Sequence, residues 1–134
     1  QTHSFAGYGF TIPEENTITG VEVRLEVSGT TAEGTLAVEL SRDGGNTWTT
    51  ATNTPTLTTD DEVVSVGSPS DLWGRAWTAD EFSNPNFSVR LTSNNPGNTV
   101  RLDAIQVRVH HANVGSGGAG GGSSQVGFKF LVVN

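Results

Sequence analysis

The chain has 134 residues, no cysteine, no methionine, and a net charge of −7 from 7 basic and 14 acidic residues. That is one domain's length. The acidic balance disfavours nucleic acid, the lack of Cys excludes disulfide scaffolds and thiolate chemistry, and no apolar run is long enough to insert into a membrane as a helix.

Only 34% of residues are hydrophobic, and 18 are threonine. Thr favours strands and turns over helix interiors, so the composition predicts an all-β chain. With no initiator methionine, Gln1 reads as a processed or trimmed start. Ser4–Thr11, with Phe5, Tyr8 and Phe10 among glycines, reads as an irregular edge strand. Ile12–Asn16 reads as a turn. In Ile18–Val27 the residues Val21, Val23, Leu25 and Val27 alternate with Glu22, Arg24 and Glu26, the pattern of a half-buried antiparallel strand. Thr35–Ser41 alternates in the same way, and Asp43-Gly44-Gly45-Asn46 is a hairpin signal. Short strands are expected near Thr56–Thr58 and over Glu62–Val66. Ser68–Asp80 is irregular, with Thr78 or Asp80 placed to cap one helical turn through Phe82. Phe87–Thr92 and Val100–His110 alternate again, the latter with a phase slip at Asp103-Ala104 that predicts a bulge. Several short strands between turn signals predict an antiparallel β-sandwich, jelly-roll or immunoglobulin-like, over residues 1–114.

Residues 115–124 (GSGGAGGGSS) hold six of the 17 glycines and read as a flexible linker. Residues 125–134 (QVGFKFLVVN) are the opposite: Val126, Phe128, Phe130 and Val132 fall on one face of a strand, with Lys129 its only charge. Left free, such a strand is an aggregation-prone edge. Burying four large apolar side chains contributes roughly 1.5–3 kcal/mol each before entropy, so the strand is expected to dock in a sheet. A hairpin needs only about 2–5 loop residues, and ten extended residues reach roughly 33–36 Å. Docking is therefore open to this domain or to a neighbouring subunit. The second case is donor-strand complementation, in which head-to-tail contacts build an open filament. Val126, Gly127, Phe128, Phe130 and Val132 form the docking strand in that reading, with Gly127 permitting close backbone approach. Phe5, Tyr8 and Phe10 are the candidate acceptor groove.

Ser41-Arg42-Asp43-Gly44-Gly45-Asn46-Thr47-Trp48 resembles the Asp-box hairpin of sialidase-type propellers. One copy cannot make a propeller, so Asp43, Gly45 and Trp48 are assigned to structure. Trp73 and Trp77 flank Arg75. Trp77 is expected to pin a long loop with Arg75 paired to an acid, while Trp73, with Trp48, is the candidate stacking platform for a glycan. Adjacent His110 and His111 point to opposite faces of a strand and suit no shared metal. The acidic turns Glu14-Glu15 and Asp60-Asp61-Glu62 are the places where structural Ca²⁺ would sit. No cofactor and no catalytic set emerge, and no enzyme is expected.

Gly9-Phe10-Thr11-Ile12-Pro13, Thr17–Val23, Asp71-Leu72-Trp73-Gly74 with Trp77-Thr78, Asn86–Leu91 and Leu102–Val109 together resemble a β-sandwich domain of bacterial cell-surface and phage structural proteins. The resemblance spans roughly residues 5–112. It implies a surface or virion assembly and no enzyme. The chain departs from that pattern at Ala104, His110 and His111, where tyrosines are usual, and the sequence starts just upstream of Gly9–Pro13, where such domains usually carry further strand sequence. A missing strand there would leave a groove for 125–134 to fill. The sequence thus predicts an extracellular or cell-surface structural subunit that polymerises with copies of itself. A carbohydrate-binding sandwich and a phage virion decoration or fibre protein stand as alternatives.

Overall fold

The computed structural model describes residues 2–29, 34–94, 100–113 and 123–130. They form β1 (Thr2–Ala6), β2 (Asn16–Gly29), β3 (Leu36–Ser41), β4 (Thr52–Asn53), β5 (Glu62–Gly67), a 3₁₀ turn (Ala79–Phe82), β6 (Ser88–Ser93), β7 (Val100–Asn113) and β8 (Ser123–Phe130). Two four-stranded sheets result, in the orders β1-β6-β3-β4 and β5-β2-β7-β8, and every pairing is antiparallel. The protein is an all-β sandwich.

The alternation that predicts β2 also decides which face is buried. Val21, Val23, Leu25 and Val27 are essentially inaccessible, while Arg24 and Glu26 are exposed. On β7 the buried apolar residues are Ala104, Ile105, Val107 and Val109, and from the opposite sheet come Val38, Leu40, Val89 and Leu91. The two long strands slip register twice. Thr19 is skipped between the pairs Ile18–His111 and Gly20–His110, and Asp103 between Glu26–Ala104 and Val27–Leu102. The second slip is the bulge that the phase break at Asp103-Ala104 predicts. It lets Leu102 and Ala104 both remain in a strand whose apolar period has changed.

Three sequence expectations shift. The edge strand at Ser4–Thr11 is only β1, ending at Ala6, because Gly7 and Gly9 adopt φ of 82° and 78° and turn the chain off the sheet. The strand expected near Thr56–Thr58 lies instead at Thr52–Asn53, where Ala37 and Val38 pair with it. Pro55 follows without an N–H to continue the ladder, and Leu57 N–H bonds Gly34 O before its side chain is fully buried. The strand expected over 125–134 is described over 123–130, and Val132 lies outside the described residues. Thr78 does cap the helical turn: the Glu81 carboxylate accepts the Thr78 N–H at 2.9 Å.

Beyond Ala6 the chain crosses from one sheet to the other as a strap, residues 7–15. Tyr8, Phe10 and Ile12 are buried and the residues between them exposed. Asn84 Oδ1 accepts the Gly9 N–H at 2.9 Å, and a Pro13–Asn16 turn leads into β2. The strap feeds an aromatic cluster at one end of the core. Phe87 lies 5.0 Å from Phe82, 5.7 Å from Tyr8, 6.0 Å from Phe10 and 6.2 Å from Trp77, between ring centroids. The Tyr8 hydroxyl is buried and finds no hydrogen-bond partner among the described residues, and burial pushes its pKa up. Removing an unsatisfied buried hydroxyl relieves a desolvation penalty. Tyr8→Phe is therefore expected to stabilise the fold by about 1–2 kcal/mol. Chemical denaturation of the two proteins checks this, and a less stable variant contradicts it.

Candidate docking groove

β8 lies on the outer edge of its sheet, antiparallel to β7, with Val126 opposite Arg108, Gly127 opposite Val107, Phe128 opposite Gln106 and Phe130 opposite Ala104. The chain's own β8 makes this pairing. Gly127 sits on the buried side with Val107 and directly beneath the strap. A Cβ built at Gly127 would stand 2.6 Å from Tyr8 Cβ, 2.8 Å from the Tyr8 carbonyl oxygen and 3.0 Å from Phe10 Cζ. Two residues earlier, the Gln125 side chain acts as a surrogate peptide group. Its Oε1 accepts the Thr11 N–H at 2.9 Å and its Nε2 donates to the Thr11 carbonyl at 3.1 Å. β8 is therefore held on one side by the β7 ladder and from within the sandwich by the strap.

Of the candidate acceptor residues, Tyr8 and Phe10 meet β8 at Gly127. Phe5 does not. It is half-buried on β1 opposite Val89, in the other sheet, with its ring 6.5 Å from that of His3. Val126, expected among the side chains that docking buries, is instead half-buried on the face it shares with the exposed Arg108, and Gly127 lies on the buried face. Gln125 and Thr11 were not singled out by sequence reasoning. A polar residue in an apolar strand is the only signal that pointed to the first of them.

The Asp-box segment closes the β3–β4 connection. Asp43 Oδ1 accepts the Thr47 N–H at 2.8 Å and Oδ2 the Thr47 hydroxyl at 2.7 Å, while Ser41 Oγ donates to Oδ1 and accepts the Gly45 N–H, both at 2.9 Å. The Thr47 hydroxyl first, then its N–H, hold the Asp43 pKa down at about 2. A depressed carboxylate pKa stabilises the fold above its unfolded value of 3.8, and that contribution is lost as pH falls towards 2. Over that window Asp43→Asn is expected to show a flatter decline in urea midpoint than the wild type. Parallel slopes would dissociate Asp43 from acid sensitivity.

Trp48 stands beside this turn with the Arg90 guanidinium 4.2 Å over its ring. Glu39 fixes that guanidinium through two bonds of 3.0 and 2.8 Å. Trp48 also lines a shallow cleft of about 230 Å³ with Arg42, Thr47, Arg75 and Trp77. Trp73 is 6% exposed, and its indole N–H donates to the Val21 carbonyl at 2.9 Å. Its ring is spent on the core and offers no stacking face to a sugar. Trp77 is equally buried and donates to the Leu72 carbonyl, with Arg75 over its ring at 4.5 Å and doubly bonded to Glu81 at 3.1 Å.

His110 and His111 point to opposite faces. His110 meets Glu22 at 2.5 Å, whereas His111 is buried with its Nδ1 2.7 Å from Asn16 Nδ2. Burial first, then His110, lowers the His111 pKa. At the acidic turns, Glu62 is engaged by the Thr58 N–H and hydroxyl, and Glu14 and Glu15 are exposed. Among the described residues no three His, Asp or Glu side chains gather around one point. No family model, no curated protein and no solved structure matches this chain.

Proposed function

We propose that the chain is a structural subunit of an extracellular or surface assembly. In it, strand 123–130 of one copy fills the groove between β7 and the strap of the next. Repeating that contact head to tail builds a filament by donor-strand complementation. A single observation carries the reading. β8 occupies a groove formed by a strand edge and the 8–12 strap, yet its tie to the β7 residues it pairs with, between His111 and Ser123, is far longer than the about 2–5 residues a hairpin needs. The intervening sequence is almost wholly Gly, Ser and Ala. Residues 114–122 lie outside the described residues; a strand that fits its groove and is joined to the chain by so long a stretch of small residues suits exchange between copies. The consecutive strands β1, β2 and β3, and β5, β6 and β7, alternate between sheets, which favours a jelly-roll over an immunoglobulin-like sandwich. The same contact would serve a cell-surface fibre or a virion fibre. The glycan-binding alternative loses support with the burial of Trp73.

Negative-stain electron microscopy and light scattering of the intact chain across concentration, beside a variant lacking residues 123–134, test the proposal. Filaments are expected from the intact chain and none from the truncated one. Monodisperse monomers of the intact chain at every concentration overturn it.

A further inference from the structure

Two positions of β8, Gly127 and Gln125, meet the strap directly. Along most of the strand an extended segment of any sequence could supply the main-chain bonds that β7 needs, because ladder bonds carry no sequence information. Two points break that indifference. Opposite Val107 the strap lies so close that a Cβ would meet both the side chain and the backbone of Tyr8, at 2.6 and 2.8 Å, and the tip of the Phe10 ring at 3.0 Å. A backbone carbonyl cannot rotate aside as a side-chain tip can. Tyr8 is itself wedged between the rings of Phe10 and Phe87, at 6.2 and 5.7 Å. At the position two before it, the strap presents a backbone N–H and C=O, both of Thr11, which a side-chain amide satisfies at once. A shift of one residue would bring Val126 or Phe128 to the tight point and turn every side chain to the other face.

We infer that Gly127 and Gln125 determine register and partner choice in this groove, which accepts a Gln-x-Gly segment. The occupant is residues 123–130 of a chain of this protein, and in an assembly that of a second copy. The inference rests on the proposed docking reading for its second-copy case. The spacing Gln-x-Gly is then the recognition signature, and the outward Val126 between them is not part of it.

Hydrogen–deuterium exchange of the full-length chain, read at residues 123–130, tests this in Gly127→Ala, Gln125→Ala and Val126→Ala. Overpacking at Gly127 is expected to speed exchange there by about 10- to 100-fold. Loss of the two Thr11 bonds is expected to speed it by about 5- to 10-fold. Val126→Ala is expected to stay within about 2-fold. In each case β3 and β6 keep their protection. Unchanged protection in Gly127→Ala, or loosening by Val126→Ala as large as by Gly127→Ala, overturns the inference. If Gly127→Ala fails to fold at all, Gln125→Ala decides: faster exchange than Val126→Ala supports the assignment, and equal exchange overturns it. Micrographs of the wild-type chain judge the assembly separately. Absent filaments with a loosened Gly127→Ala strand would sink the polymer and keep the selection, and filaments with an undisturbed one would do the reverse.

Discussion

Phe87→Ala is expected to destabilise the domain by about 3–5 kcal/mol, the range for emptying a buried aromatic site. The position favours the upper part of that range. Phe87 is 1% exposed and its ring is shared by Tyr8, Phe10, Trp77 and Phe82, all within 6.2 Å between centroids. Those four come from the strap, the irregular 68–78 loop and the 3₁₀ turn, segments with few ladder bonds of their own. A cavity there cannot close by one strand sliding, because its walls belong to three different connections. Equilibrium urea unfolding followed by tryptophan fluorescence measures the effect, and Trp77 reports on the same cluster. A loss below about 1 kcal/mol would mean that the walls collapse onto the gap.

Gly20→Ala is expected to rival it, at about 3 kcal/mol or more, for the opposite reason. Gly20 lies inside β2, where glycine weakens a strand unless something needs the space. A Cβ there would stand 2.1 Å from the Pro69 carbonyl oxygen, 2.2 Å from Pro69 C and 2.6 Å from the Ser68 oxygen. All three are backbone atoms. Beyond Gly67 the chain continues along the β2 edge: the Val21 N–H donates to the Asp71 carbonyl, and the Val21 carbonyl accepts the Trp73 indole. Pushing Pro69 away therefore breaks the bonds that hold Trp73 in the core. The variant should unfold at lower urea with a red-shifted native emission. An unshifted midpoint would show that the loop can lift at no cost.

The two sheets were legible where the chain alternates. In β2 and β7 the parity of Val, Leu and Ile against Glu, Arg and Gln names the buried face, and the break at Asp103 marks the bulge. What escaped was conformation at single residues. Trp73 has φ of 56° and is followed by Gly74 at 80°, with the Arg75 N–H bonded to the Leu72 carbonyl at 3.2 Å. That is a primed turn on a Trp-Gly pair, where such turns ordinarily announce themselves by Asn-Gly or Asp-Gly. The turn swings the indole inward, so the ring predicted as a platform is a core residue. Asp71 Oδ1 accepts the Trp73 N–H at 2.8 Å and helps hold that strained residue. The site was half legible. Gly127 could be read as a point of close approach, and Tyr8 and Phe10 as its neighbours. Alternation within 125–134 defines two faces but cannot say which one a sheet will bury. That depends on the register with β7, which Gly127 and Gln125 settle through contacts more than a hundred residues away along the chain.

The pairing of β1 with β6 has a consequence in time. Thr2 meets Thr92, and Asn16 meets Asn113, so both sheets join the beginning of the chain to its last third. Among the described strands only β3 with β4 and β7 with β8 pair with their neighbour in sequence, across ten and nine residues. Folding dominated by such distant contacts is slow, on the order of milliseconds to seconds. A chain delivered from its N-terminus would carry β1, the strap and most of β2 without their partners until β6 and β7 had emerged. Of the described strands, β8 would be the last to arrive. The strands that form the groove thus emerge before its own occupant, and under the proposed docking the segment of another copy would compete in that interval on arrival order rather than on affinity.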